Sequence, residues 1–434
     1  MIINGWGRYP KIDANLFYPE NKSQCFDYIK KNSFIPRGSG RSYGDSANAD
    51  NVLQTLKINK VLKFDKINGV IACEAGITFR DLIAIIVPEG WFFPVTPGTS
   101  FLTIGGAIAA DVHGKNHHKE GSFSDYILNI DMILGSGDFV SVSKENLPDL
   151  FYATCGGMGL TGFIFSATIK LKRITSSKII QSNRASKSLE EVCESFEKFS
   201  SSNYSVAWLD TISTGKDFGR SILFLGNHAD DKDFITEKFK PLTLPMKLGS
   251  LIINKYTFSI FNKIYYKKNY KSNNEYKCLV DINDFFYPLD KIKNWNLVYG
   301  QRGFIQYQFV IPKKNSVFNL KKILRTINHH NEFSTLAVLK LLGKNNNNYL
   351  SFPMEGLTLA LDFKLSNSIL KLIKFLDEMI VDMNGKIYLA KDALMTEDIF
   401  KKTYSKWREF ENIRFKYSAI GKFSSTQSKR LGLS

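Results

Sequence analysis

The sequence predicts an α+β protein of two domains, in which many strands and few helices surround a site for a large ligand. Three observations carry that prediction. At 434 residues the chain exceeds what one ordinary core organises. The first part reads as strands joined by tight turns, with short helical segments between them, and not as the repeating strand–helix–strand order of a doubly wound sheet. Around residues 173–180 the apolar pattern breaks into Arg, Thr, Ser and Lys, and a domain boundary is placed there.

Taken in order, Gly5-Trp6-Gly7-Arg8 opens the chain, and residues 23–32 carry helical spacing ahead of the apolar pair Phe34-Ile35. Residues 61–65 and 70–74 read as strands joined near Asn68-Gly69, a strong hairpin signal because both residues tolerate the positive φ of a tight turn. Thr78 stands three positions before Asp81 and ahead of Leu82, Ile83, Ile85 and Ile86, as a helix N-cap does, and Pro88-Glu89-Gly90 ends that helix. Residues 127–134 and 139–142 form a second hairpin across Gly135-Ser136-Gly137-Asp138. Phe163, Phe165, Ala167, Ile169 and Leu171 alternate with more polar neighbours, which predicts one long strand. Beyond the boundary, strands are expected at Trp208-Leu209-Asp210, 221–225, 304–312 and 357–363. Helices are expected at 318–327 and 369–380, hence a sheet with helices on one side.

Two glycine-bearing stretches carry the chemistry. Residues 97–121 combine a Pro97-Gly98-Thr99 turn, the pair Gly105-Gly106, small alanines, and the polar set Asp111, His113, Lys115 and Asn116. Backbone bared by glycine beside compact side chains lets a flat or phosphorylated ligand lie against main-chain N–H groups. Residues 37–45, Arg-Gly-Ser-Gly-Arg-Ser-Tyr-Gly-Asp, leave a predicted strand, and such a loop forms a nest of N–H groups around a diphosphate. Either loop alone also fits a glycine-rich surface turn; together they read as a cofactor cradle. His113, His117 and His118 suggest a metal only if their stretch is helical, and Gly114 with no nearby carboxylate pattern leaves no metal expected.

Composition narrows the class. A hydrophobic content of 44% with 13% aromatic excludes a disordered chain. Five cysteines without a CxxC pair suggest neither a disulfide framework nor zinc, so reduced thiols in a cytosol are expected. The opening residues contain no apolar signal core, and no window reaches the ~18 apolar residues of a membrane span. Residues 1–178 hold 19 Lys and Arg against 16 Asp and Glu, so of the net +17 only +3 lies there and +14 lies beyond. That second region would attract an anion, and with no nucleic-acid-binding signature a phospholipid surface or a phosphorylated substrate is preferred to nucleic acid. A solvated Lys/Asn-rich surface, including the run Asn345 to Asn348, accounts for part of the excess. In residues 246–277, Leu251, Ile252, Phe258, Phe261, Ile264 and Tyr265 interleave with Lys247, Lys255, Lys263, Lys267, Lys268 and Lys271. This fits an amphipathic basic helix at lipid headgroups as well as an ordinary surface helix.

The two glycine loops resemble the FAD domain of the vanillyl-alcohol-oxidase (PCMH-type) flavoproteins, and within them the decaprenylphosphoryl-ribose 2-oxidase branch. The similarity continues through residues 153–162, 303–312 and 388–392 and covers nearly the whole chain, with residues 180–280 matching in patches. It implies an FAD-binding domain at 1–177, a substrate-binding cap at 178–385, and a return to the FAD domain at 386–434. The implied reaction oxidises the 2-hydroxyl of a polyprenyl-phosphoryl ribofuranose to a keto sugar, the first half of a 2-epimerisation that a separate NAD(P)-dependent short-chain reductase completes. A cytoplasmic protein, peripheral at the inner face of the membrane, follows. Oxidation of a soluble aldonolactone or sugar alcohol is the alternative, and a basic membrane-binding protein with a vestigial flavin is a third.

The resemblance also implies residues. For FAD these are Arg37, Gly38, Ser39, Gly40, Arg41, Ser42, Tyr43, Gly44 and Asp45, then Gly98, Thr103, Ile104, Gly105, Gly106, Ala110, Asp111, Val112, His113, Gly114 and Asn116, with Ile164 and Tyr388. Lys391 is the implied catalytic base, with Tyr43 and His113 beside flavin and substrate; without the resemblance, Lys391-Asp392 reads as a surface pair. Lys115, Trp208, Phe286, Gln306, Gln308, Lys340, Thr358, Ala360 and Lys391 are implied at the substrate, Lys340 as a cation for its phosphate. On the bare sequence Trp208 fits a core equally well, and Gln306 and Gln308, two apart on a strand, share a face that meets either a sugar or solvent. Three positions depart from the branch: Thr358 replaces an Asn, Ala360 a Cys and Phe286 a Tyr. Related aldonolactone oxidases bond flavin through a histidine where this chain has Arg41, so the FAD is expected to be non-covalent.

Overall fold

Near the N-terminus three short strands, Asn15–Phe17, Asn51–Gln54 and Ile35–Arg37, pair in parallel, and the glycine loop leaves the last of them. The computed structural model describes residues 1–236, 242–243, 253–270 and 276–433. Beside these strands lies an antiparallel sheet in the order Phe139–Val142, Ile127–Ile133, Phe163–Lys170, Val70–Glu74, Val61–Asp65. Both predicted hairpins form, and Gly69 takes the left-handed conformation at φ 63° that its turn requires. Thr78 caps the helix Phe79–Ile86: its hydroxyl accepts the Asp81 N–H while the Asp81 carboxylate accepts the Thr78 N–H, a reciprocal capping box. The long strand stops at Lys170, two residues before its predicted end at Lys172. Leu171 N–H bonds the Gly69 carbonyl in the hairpin turn, where the partner strand runs out, and Lys172–Arg173 pairs with Trp91–Phe92 instead.

From residue 178 the chain builds a second, larger antiparallel sheet of eight strands among the described residues. Their order is Tyr276–Asp281, Lys178–Ser186, Ser221–His228, Tyr204–Leu209, Ala337–Leu342, Gly356–Lys364, Phe304–Pro312, Lys386–Ile387. The helices Leu189–Lys198, Ser316–His329 and Asn367–Asp382 cover one face of it. There Leu320, Ile323, Leu372 and Leu376 join Leu339, Leu361 and Phe309 in one buried cluster, each such side chain contributing roughly 1.5–3 kcal/mol. Because side chains alternate along a strand, the residues between those core positions point to the opposite face. Register places Trp208, Val338, Ala360 and Gln308 in one row across four strands, with Lys340 opposite Thr358 in the next row and Gln306 opposite Asp362 on the other side.

Mixed helices and antiparallel sheets make the α+β class expected from the sequence. Of the basic stretch 246–277, the described part holds the helix Lys255–Asn269, whose N-cap Asn254 accepts the N–H groups of Tyr256 and Thr257, and the first residues of the strand Tyr276–Asp281. Residues 246–252, with Lys247, Leu251 and Ile252, and residues 271–275, with Lys271, lie outside the described residues.

Candidate active site

A cavity of about 620 Å³ opens between the first-domain loops and the uncovered face of the eight-stranded sheet, within the size range of cofactor and ligand sites. Residues 37–43 of the glycine loop form one wall. None of the N–H groups of residues 38–42 donates to a backbone acceptor among the described residues, as in a nest awaiting an anion. Gly38 packs where a Cβ would strike the Thr103 side chain, and Gly40 is left-handed at φ 64°, so both positions need glycine. Thr103 in turn caps the helix Ile104–Ala109 by accepting the Gly106 N–H.

Arg41 lies 4.0 Å over the Trp6 ring and 4.9 Å from Phe101. Across the cavity Asp290 accepts the Thr99 hydroxyl at 2.7 Å, the Ser100 N–H at 2.7 Å and the Ser100 hydroxyl at 2.8 Å, which ties the 97–101 turn to the later part of the chain. His113 is buried, with Gln308 Nε2 3.0 Å from its Nε2; burial and the fields of Lys340, His117 and Lys391 hold it neutral, well below its ordinary value.

Three lysines line the same cavity. Burial pushes the Lys391 ammonium down to about 7, Asp362 opposing the fall and Lys340 adding to it. Its Nζ stands 3.7 Å over the Tyr43 ring, whose phenol burial keeps protonated, well above 10. Lys340 is pushed down to about 8 by burial, and Lys115, beside it, to about 7. Lys115 donates to the Phe285 carbonyl, whereas Lys340 has no hydrogen-bond or ion-pair partner among the described residues. Beyond them the wall turns apolar and aromatic: Val206, Trp208, Phe224, Phe261, Tyr265, Phe285 and Phe286. Such a site can take a proton near neutral pH, balance an anion and hold an apolar chain.

Residues 19–143 match a family model described as an FAD binding domain. The chain is 32% identical over 452 aligned residues, 99% of its own length and 97% of the relative's, to the decaprenylphosphoryl-beta-D-ribose oxidase of Mycolicibacterium smegmatis. The chain belongs to the decaprenylphosphoryl-β-D-ribose oxidase family. More distant similarity reaches the Delta(24)-sterol reductase of Mus musculus, 24% identical over 61% of this chain and 49% of that protein. It also reaches the D-lactate dehydrogenase of Anaerostipes hadrus, 30% identical over 28% of this chain and 26% of that protein.

As a member of this oxidase family the chain is an FAD-dependent oxidoreductase. The residues present fit that cofactor. Ser39 Oγ, Arg41 Nε, Ser46 Oγ and His113 Nδ1 are buried without a hydrogen-bond partner among the described residues, and all four residues line the cavity. Of the residues the oxidase resemblance implied, the cavity gathers Arg37 to Tyr43, Gly98, Thr103, Gly105, Gly106, Ala110, Val112, His113, Lys115 and Ile164. From the later chain it adds Trp208, Phe286, Gln306, Gln308, Lys340, Ala360, Tyr388 and Lys391.

Seven others do not line it. Asp45 takes the Arg430 guanidinium at 2.7 Å, and Gly44 sits where a Cβ would strike the Asp392 carbonyl. Asp111 accepts from Asn346 at 2.7 Å, Asn348 at 2.8 Å, Ser351 at 2.5 Å and the Ser124 N–H at 3.2 Å. It is a structural anchor here, and it draws Asn346 and Asn348 of the supposedly solvated asparagine run onto the first domain. Ile104 is core, Gly114 packs against Thr96, and Asn116 donates to the Pro94 carbonyl at 2.7 Å. Thr358 stands behind Gln308, donating to the Phe309 carbonyl at 2.8 Å and accepting from Gln308 at 3.2 Å.

Sequence reasoning overlooked Asp290, Asp362 and the Trp6–Arg41–Phe101 stack. Asp362 was detectable as the ionisable member of the alternation Thr358, Ala360, Asp362 among leucines. It is fully buried, accepts Gln306 Nε2 at 2.6 Å, and burial raises its carboxyl to about 7. No local signal marks Asp290.

Proposed function

We propose that the chain oxidises the 2-hydroxyl of a polyprenyl-phosphoryl ribofuranose to the keto sugar, the first half of a 2-epimerisation to the arabinose form completed by a separate NAD(P)-dependent short-chain reductase. The observation that carries this reading is one cavity holding a lysine brought to about 7, two more lysines, and an aromatic arm, which suit a hydroxyl proton, a phosphodiester and a prenyl chain. FAD supplies the hydride acceptor when bound. The chain's own part is the proton: Lys391 Nζ takes it from the 2-hydroxyl as the carbonyl forms, and the Tyr43 ring steadies the resulting ammonium. Lys340 and Lys115 balance the phosphodiester, while the Gln306 and Gln308 amides offer hydrogen bonds to the sugar. Trp208, Phe224, Phe261 and Tyr265 receive the first prenyl units.

A lipid substrate is best collected at a membrane. The helix Lys255–Asn269 lines the cavity with Phe261 and Tyr265 and leaves Tyr256, Ile260 and Ile264 exposed beside Lys263, Lys267 and Lys268, which supports peripheral attachment to anionic lipid. No helix among the described residues is long and apolar enough to cross a membrane. The test is anaerobic bleaching of the flavin by a panel of prenyl-phosphoryl pentoses set against free aldonolactones. Bleaching by the ribose phosphodiester is expected; bleaching by lactones alone, or by nothing in the panel, would refute the assignment.

A further inference from the structure

We infer that Arg430 is a positioning residue for the reaction: its guanidinium clamps the end of the 37–45 loop to the turn that carries Lys391. Nη2 donates to Asp45 Oδ1 at 2.7 Å and to Asp392 Oδ2 at 2.9 Å, and Nη1 donates to the Met395 carbonyl at 2.5 Å. Asp45 closes the glycine loop directly after Gly44, and Asp392 follows Lys391 directly. The two backbones touch at this point, since Tyr43 N–H donates to the Ala390 carbonyl at 2.9 Å and Gly44 leaves no room for a Cβ beside Asp392.

The same short C-terminal helix, Thr426–Arg430, supplies Gln427, whose Nε2 reaches the Leu389 carbonyl at 2.8 Å and Asp392 Oδ2 at 3.1 Å. The other Asp392 oxygen takes the N–H groups of Leu394 and Met395 at 2.8 and 2.7 Å. The turn bearing Lys391 is therefore held from both sides by groups that never meet the cavity. The carboxylates of Asp45 and Asp392 are 2% and 3% exposed, so each depends on the shared cation. A planar fork serves two carboxylates at once; a lysine ammonium in its place loses that geometry. The cofactor loop and Lys391 share no strand, and this guanidinium adds a side-chain clamp to the one backbone bond between Tyr43 and Ala390.

The role rests on the reading of Lys391 as base, and the test separates the two. Arg430→Met, Arg430→Lys and Asp392→Asn are made in the full chain. FAD affinity is read on apo-protein by flavin fluorescence, and the limiting rate of anaerobic flavin reduction is read per bound flavin across pH. Arg430→Met is expected to loosen FAD and to slow reduction by about 10- to 100-fold at unchanged half-saturating substrate. Its rate–pH midpoint should also move upward, because a loosened turn lets water reach the Lys391 ammonium, whose low value rests first on burial. Arg430→Lys should recover thermal stability but not rate. Asp392→Asn, a milder change that keeps a side-chain oxygen for the Leu394 and Met395 N–H groups, should slow reduction and raise the midpoint by less. Variants that lose only Tm, with affinity, limiting rate and midpoint as in the wild type, would overturn the inference. The affinity measurement uses no substrate, so failure of every sugar to reduce the flavin would sink the proposed reaction and leave the clamp to be judged on cofactor binding.

Discussion

Lys391→Met removes the amine that is proposed to take the substrate proton while nearly keeping its length. A lysine at its ordinary value near 10.5 is neutral in only about one molecule in several thousand at pH 7, whereas at about 7 half are neutral. Burial thus raises the population of the base form by roughly 10³, which is the advantage the cavity confers before any orientation is counted. The substitution should slow anaerobic flavin reduction by about 10²- to 10⁴-fold. In the unaltered enzyme the limiting rate should rise with pH through a midpoint near 7. Two neighbours act on that midpoint with opposite sign. Asp362→Asn deletes a carboxylate that favours the ammonium and should lower it; Lys340→Met deletes a repelling cation and should raise it, each by about one unit. Stopped-flow decay of oxidised-flavin absorbance at saturating substrate, from about pH 5.5 to 9, reads all three variants. A pH-independent rate, or neighbour variants that shift the midpoint in the same direction, would refute the assignment of Lys391 as base.

Further outcomes follow from other parts of the molecule. Arg41, stacked between Trp6 and Phe101, cannot form a histidyl bond to flavin, so acid precipitation should leave the yellow colour in the supernatant; a coloured pellet would contradict this. Ala360 lines the cavity without a thiol, so nitroaromatic compounds that trap a cysteine there should give no adduct by mass spectrometry, while Ala360→Cys should create one. Vesicles containing anionic lipid should sediment the protein better than neutral vesicles, and Ile260→Glu with Ile264→Glu should abolish the difference; equal sedimentation of the unaltered protein on both removes the membrane proposal. Asp111→Ala strands the donors of Asn346, Asn348 and Ser351 in a buried place and should cost about 3 kcal/mol, read as a lowered denaturant midpoint; an unchanged midpoint would show that the asparagine run is free to leave.

Much of the site was legible because its signals are local. The glycines of the 37–45 loop, the Thr78 cap and the Asn68-Gly69 hairpin each depend on a few neighbouring residues. The spacing of Gln306 and Gln308 placed them on one face before any partner strand was known, and the oxidase resemblance singled out Lys391. The side chains of Asp45, Asp111 and Asn116 were less legible for the opposite reason. A polar residue inside a cofactor motif looks alike whether it meets the ligand or braces the loop, and here Arg430, the asparagine run and Pro94 claim those side chains.

By itself the sequence determined the α+β class, the turns, the alternating strands and the identity of a flavin-binding family, because these rest on short-range geometry and on motif residues that stand together. Only tertiary structure decided which charges share a cavity. Lys391 reaches about 7 because burial excludes water around its ammonium and Lys340, from a separate segment, repels it, while Asp362, from another, opposes the fall. Desolvation is a property of the enclosure and not of any stretch of chain, so no local pattern records it.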